Sequence, residues 1–186
     1  MARVFPGGIE PDGNVPVRAA FVVAGRTLDG AVTTLDWSFK TPPTRATDHV
    51  DLGDTASEKV HGLTASPTSG TNVEAGLTRR YGGYRVPDAW YEFDLAATAG
   101  KGFVLQGLET YDDNPQQKSY RILVNGKLVA TRLNVRPQRR AGTAAYRLHV
   151  PARFVTAGTV RVRVQSRSDP DFADPSLADV WVLFRG

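Results

Sequence analysis

Between two apolar runs the chain carries Tyr111-Asp112-Asp113-Asn114-Pro115-Gln116-Gln117, an aromatic ring followed by two carboxylates and three side-chain amides. Sugars are held by planar polar groups that match pairs of hydroxyls, with an aromatic ring laid against the apolar face of the sugar. The stretch supplies both kinds of group, which makes Tyr111, Asp112, Asp113, Asn114 and Gln116 candidate ligand contacts. The plainer alternative is a polar connection whose Asp-Asn-Pro string only sets turn geometry. A second cluster is Arg79-Arg80-Tyr81-Gly82-Gly83-Tyr84, with Trp90 a few residues on. Gly82-Gly83 lets a loop bend sharply and expose Tyr81 and Tyr84 beside an arginine. Arg79, Tyr81 and Tyr84 would then form the second side of a groove. Trp90 faces either a ligand or a second apolar layer, whereas Trp37 and Trp181 read as packing residues.

A third group, Asp51, Asp54, Ser57, Glu58 and His61, has the look of a held turn. Asp54 is a candidate N-cap, and Glu58 with His61 shows the i, i+3 spacing of helical carboxylate-histidine metal sites. Such sites need further ligands from elsewhere, so the structural account is stronger: Asp54 and Ser57 bond to backbone, Glu58 and His61 pair with loop groups.

Catalytic constellations do not emerge. Asp112 and Asp113 are adjacent, so on a strand they point to opposite faces and cannot straddle one glycosidic bond. The acids Glu74, Glu92, Asp94 and Glu109 are scattered over alternating positions. No G-x-S-x-G occurs, and His49, His61 and His149 lack recognisable triad partners. No phosphate-cradling glycine loop occurs either. The absence of cysteine removes thiol nucleophiles, disulfides and Cys-based zinc sites. The chain therefore reads as a non-enzyme.

The elements that position these groups are strands. Lys118–Leu133 writes two apolar, β-branched runs around Asn125-Gly126, the dipeptide suited to a type I′ turn. A two-residue turn pairs Leu123 with Leu128 and Ile122 with Val129, so both faces of the ribbon carry apolar pairs and it belongs inside a layered structure. Val17–Ala24 and Ala31–Phe39 flank Asp29-Gly30. Ala89–Leu95 puts Tyr91, Phe93 and Leu95 on one face, with Trp90, Glu92 and Asp94 on the other. Phe103–Thr110, Tyr146–Val150, Thr159–Gln165 and Val180–Phe184 complete the set. Short helical turns are expected at Thr55–His61 and Pro151–Val155. Eight to ten strands without long helices indicate an all-β, antiparallel β-sandwich of jelly-roll type over residues 46–186. Residues 1–45 form an N-terminal β segment and a Pro-rich linker.

The net charge of +4 invites a nucleic-acid reading. Arg161 and Arg163, however, alternate with valines as the wet face of a strand, and Arg79-Arg80 and Arg139-Arg140 sit in loops. No basic stripe with interleaved aromatics forms, so no nucleic acid is expected as a partner. No apolar run reaches membrane-spanning length, and Met1–Gly8 lacks the apolar stretch of a signal peptide. The opening residues read as a strand entry from a preceding unit of a longer protein, with a native terminus as the alternative.

From Asp48 onward the order of signals resembles the C-terminal, galactose-binding-like β-sandwich of β-L-arabinofuranosidase-type glycoside hydrolases. The residues concerned are Gly53-Asp54, Ser57-Glu58 and His61, then Ser69-Gly70, Arg79-Arg80, Gly82-Gly83, Trp90–Leu95 and the Tyr120–Thr131 hairpin. Thr110-Tyr111-Asp112 stands where that family has a Tyr-Trp-Gly step, and residues 1–45 have no counterpart. The resemblance implies an accessory sandwich that binds carbohydrate or supports a glycoside hydrolase catalytic domain, with an extracellular location if the parent is secreted. By the same analogy one structural Ca2+ would be held by oxygens such as those of Asp51, Asp112, Asp113, Asn114 and Asp179. The rival readings are a module that docks onto a catalytic domain and an all-β hydrolase or lyase acting on polysaccharide.

Overall fold

The computed structural model describes residues 16–19, 35–38, 46–111, 116–136, 141–167 and 175–183. Two units separate, Met1–Thr44 and Arg45–Gly186. In the first, β1 (Pro16–Ala19) pairs antiparallel with β2 (Leu35–Ser38), Val17 opposite Trp37. The rest of the two strands expected there, and the side chain of Trp37, lie outside the described residues.

The second unit opens with β3 (Ala46–Asp51), α1 (Thr55–Val60), β4 (Thr64–Ala65), β5 (Gly70–Glu74), β6 (Leu77–Tyr81) and β7 (Trp90–Ala96). It continues with β8 (Phe103–Tyr111), β9 (Gln116–Val124), β10 (Lys127–Arg136) and β11 (Gly142–Val150). After a 3-10 turn at Ala152–Phe154 come β12 (Thr159–Ser166), β13 (Ser176–Leu177) and β14 (Asp179–Leu183). The strands form two main sheets, β10-β9-β12-β7-β4 and β11-β8-β14-β3, with β13-β6-β5 as a smaller third. The pairings are antiparallel throughout. This is the antiparallel sandwich that the strand signals require.

Period-two alternation makes the core. Tyr91, Phe93 and Leu95 of β7, Tyr120, Ile122 and Val124 of β9, and Val160, Val162 and Val164 of β12 are all buried in one cluster. Val50, Phe103, Leu105, Val150, Val180 and Val182 join them from the other sheet. Each such side chain contributes about 1.5–3 kcal/mol on burial. Strand β14 is buried at all five positions, because Trp181 and Leu183 face a second cluster with Leu77, Leu108 and Ala178.

The Asn125-Gly126 turn has positive φ at both residues, 49° and 73°, as type I′ demands. Leu123 pairs with Leu128 as expected, but a bulge shifts the register so that Ile122 lies opposite Ala130, not Val129. Only one face of this ribbon reaches the core. Leu128 is 54% exposed, because β10 is an edge strand and its outer face carries no second layer. Arg79 and Arg80 are also corrected: they sit in strand β6, not in a loop.

The Asp54 carboxylate caps α1 by accepting from Ser57 N at 2.7 Å. Glu58 accepts from Gly53 N at 2.7 Å and takes a two-point bond from Arg80, both contacts at 2.6 Å. His61 Nδ1 donates to the Ser57 carbonyl at 2.6 Å. This segment is a structural knot, its carboxylate and imidazole committed to protein partners. Among the described residues no group of three His, Cys, Asp or Glu side chains is placed to hold a metal ion.

Candidate functional site

Strand pairing sets one end of the sandwich apart. Tyr111 closes β8 and Gln116 opens β9; Arg136 lies opposite Gln116 and Gly142 opposite Tyr111. The Gly82–Ala89 loop reaches the same end, where Gly82 N donates to Pro175 O and Ser166 N donates to Ala89 O. Several connections thus leave from one end, each rooted on a paired strand.

Beneath them the core turns polar. Lys118 is fully buried; its ammonium donates to Ser176 Oγ at 2.6 Å, lies 3.6 Å from Glu74 Oε2 and sits 5.1 Å from the centre of the Tyr111 ring. Arg79, buried beside it, bonds to Asn72 at 2.9 Å, to Ser176 Oγ at 2.5 Å and to Glu74 at 3.2 Å. Thr110 donates to the same Glu74 oxygen at 2.5 Å. Next to Thr110 on β8, the buried Glu109 accepts from the hydroxyls of Tyr111, at 2.8 Å, and Tyr120, and from Arg132 at 3.3 Å. The Arg132 guanidinium in turn lies 4.1 Å from the centre of the Tyr146 ring. Burial, then the neighbouring Glu109 charge, pushes the Tyr146 phenol up. Burial and the adjoining phenol and carboxylate do the same to Tyr120. Both phenols therefore stay neutral, and Tyr120 keeps the proton it donates to Glu109.

This placement revises the candidate list. Tyr111 is 1% exposed and held under the end of β8, so it is no stacking platform. Arg79 is likewise a buried brace rather than a ligand contact. Tyr81 is half-buried, its ring lying over Gly70, where a Cβ would overlap the phenol. Asp112, Asp113 and Asn114 lie outside the described residues, and Gln116 is placed only as the first residue of β9.

Tyr84 stands apart: it is 66% exposed, with the Arg85 guanidinium 5.1 Å from its ring centre. Its loop is tightly defined. Thr68 Oγ1 donates to Gly82 O at 2.8 Å, and Ser66 Oγ accepts from Trp90 N at 3.1 Å. Arg85 and Asp88 both take left-handed φ, 56° and 55°, unusual for residues with side chains. Asp88 Oδ1 accepts from Arg121 at 3.1 Å and from Gln165 at 3.2 Å, fastening the loop to β9 and β12.

Trp90 resolves to the outer face of the five-stranded sheet, half-buried, with the Arg163 guanidinium 4.2 Å from its ring centre. Arg163 Nε also donates to Glu92 at 2.7 Å. Burial raises the Glu92 pKa, but the bond and charge of Arg163 and the charge of Arg161 outweigh it and leave the carboxyl lowered. Asp88, Arg121 and Gln165 were not singled out by sequence. The wet-face alternation of β12 signals an outward Gln165, but its meeting with Asp88 depends on strand register.

The recess lined by Thr47, Ala97, Thr98, Lys101, Gly102, Phe103 and Val182 has room for about 20 Å³, the scale of a single water and too small for a sugar.

No protein-family model matches the chain, and no curated protein matches it. Among solved structures it is similar to the extracellular domain of ANXUR2 from Arabidopsis thaliana, at 10% identity and a TM-score of 0.50. That alignment covers 75% of this chain and 49% of the ectodomain, so the chain spans about half the length of that neighbour. A family 35 carbohydrate binding module from Clostridium thermocellum aligns at 10% identity and TM-score 0.49, over 74% of this chain and 99% of the module. Another, from an environmental isolate, aligns at 15% identity and TM-score 0.45, over 67% and 93%. At these identities, what the ectodomain shares with this chain is the sandwich fold.

Proposed function

We propose that this chain is a non-catalytic carbohydrate-binding module whose contact surface centres on Tyr84. The observation that carries the proposal is a two-thirds exposed phenol ring on a loop fixed at both roots, with the Arg85 guanidinium over the ring and the Asp88 carboxylate, Arg121 and the Gln165 amide joined where the loop meets the sheet. An aromatic ring held open to solvent at an ordering cost already met by the fold is suited to the apolar face of a sugar. Tyr111 and Gln116, the described ends of β8 and β9, lie at the same end of the sandwich, and Asp112, Asp113, Asn114 and Gln116 would add hydroxyl contacts. The resemblance of Asp48–His61 to the accessory sandwiches of β-L-arabinofuranosidase-type hydrolases supports placement beside a glycoside hydrolase catalytic domain. A surface site of this kind buries little area, so affinity should fall at millimolar to high micromolar Kd, about −4 to −6 kcal/mol.

The test is a titration of the protein with arabino- and galacto-oligosaccharides, followed by amide chemical shifts and calorimetry. Shifts at Gly82–Ala89 are expected. Tyr84→Ala should weaken binding about tenfold, near the 1.4 kcal/mol of one aromatic contact, while Tyr84→Phe retains it. Sugar turnover, or an unchanged Kd in Tyr84→Ala, would refute the proposal.

A further inference from the structure

The outer face of the five-stranded sheet continues from the Tyr84 loop. Trp90, Gln165, Arg121 and Thr131 stand directly opposite one another across β7, β12, β9 and β10. At the usual strand spacing this row spans about 14 Å, long enough for more than one sugar ring. Asp88 joins the row to the loop, since its carboxylate binds both Arg121 and Gln165.

The electrostatics of the face indicate what it takes. Its charges occur as pairs: Arg121 with Asp88 at 3.1 Å, Arg163 with Glu92 at 2.7 Å, and Arg161 with Asp94 at 3.1 Å. Along the sheet three acids offset three arginines, and Arg85, over the Tyr84 ring, is a fourth cation at the loop; the row itself therefore offers neither an anionic nor a cationic partner an excess of opposite charge. Paired planar groups still offer donors and acceptors at their exposed edges, which suits an uncharged polyhydroxylated ligand.

Resting on the carbohydrate reading above, we propose that the row extends the Tyr84 site into a strip, and that the ligand is an extended segment of an uncharged polysaccharide laid across the strands. Successive sugars then occupy the loop and the row, so affinity rises with chain length until the strip is filled.

The experiment compares a monosaccharide with the matching tetrasaccharide of neutral arabinan or galactan on the intact chain. Binding of the tetrasaccharide should be about tenfold or more tighter, as expected when a second contact is tethered to the first. Amide shifts should reach Gln165, Arg121 and Thr131 with the tetrasaccharide and stop at Gly82–Ala89 with the monosaccharide. Raising salt from about 0.05 M to about 0.5 M should change Kd less than about twofold. Thr131→Lys, which puts a second positive charge directly opposite Arg121 and leaves it without a counter-charge, should weaken the tetrasaccharide. Length-independent affinity with shifts confined to the loop would overturn the strip and leave the carbohydrate reading standing. A strong salt dependence would overturn the uncharged ligand. Silence with every sugar would remove both.

Discussion

Replacing Glu109 by leucine tests whether the buried polar end of the sandwich is a brace. The carboxylate is fully buried and is the shared acceptor for Tyr111, Tyr120 and Arg132. Leucine leaves two phenol hydroxyls without that acceptor and the Arg132 side chain, 22% exposed, without its counter-charge. Removing one partner of a buried ion pair costs about 3–5 kcal/mol. An unsatisfied buried hydroxyl adds about 1–3 kcal/mol, less than additively when the groups share one site. Glu109→Leu should therefore lose about 4 kcal/mol, a large part of the usual stability of a domain. Glu109→Gln keeps an acceptor oxygen and should lose about half as much. Glu109→Leu combined with Arg132→Met should recover stability, because both charges then leave the core together. Equilibrium urea unfolding with an unchanged m-value is the assay. A loss below about 1 kcal/mol in Glu109→Leu, or a double variant worse than the single, would refute the reasoning.

Two further outcomes follow from other sites. Asn125 donates to Phe154 O at 2.9 Å, accepts from Arg161 N at 2.8 Å and holds φ at +49°, so Asn125→Ala should cost about 2–3 kcal/mol in thermal or urea unfolding. Glu92 has its pKa lowered on folding, so its stabilisation is present above the unfolded value near 4.5 and disappears as pH falls through the lower folded value. Glu92→Gln should accordingly be less stable than the parent at neutral pH, with the two unfolding midpoints converging in acid.

Much of the sandwich is legible in the sequence because alternation and turn chemistry act locally. The valines of β12 between Arg161, Arg163 and Gln165, and the positive φ of Asn125-Gly126, need only neighbouring residues to be read. The edges are less legible. The wet face of the Lys118–Leu133 ribbon is set by β10 being an edge strand, which depends on sheet order, and the two-residue strands β4 and β13 are too short to alternate. The site divides the same way. Tyr84 is marked by Gly82-Gly83 and proves exposed, whereas Tyr111 and Arg79, equally prominent as sequence, are taken inward. Their partners Lys118, Glu74 and Ser176 come from three other strands, and no local pattern brings a lysine, a glutamate and a serine together.

That inward turn bears on how the proposed ligand surface would be held. Apolar packing fills the middle of the sandwich, but at the loop end the core gives way to Glu74, Arg79, Glu109 and Lys118. Apolar contacts are non-directional and tolerate small shifts, whereas a lysine aimed at one serine oxygen or a carboxylate accepting from three donors fixes angle as well as distance. Buried ion pairs give little net stability. Their contribution at this end is geometric: they lock Tyr111 at the end of β8, Lys118 of β9 and Ser176 at the start of β13 relative to one another. A weak ligand surface gains most from such fixing, because with few contacts to spend, ordering a loose loop at about 1–2 kcal/mol per residue would consume the whole binding energy.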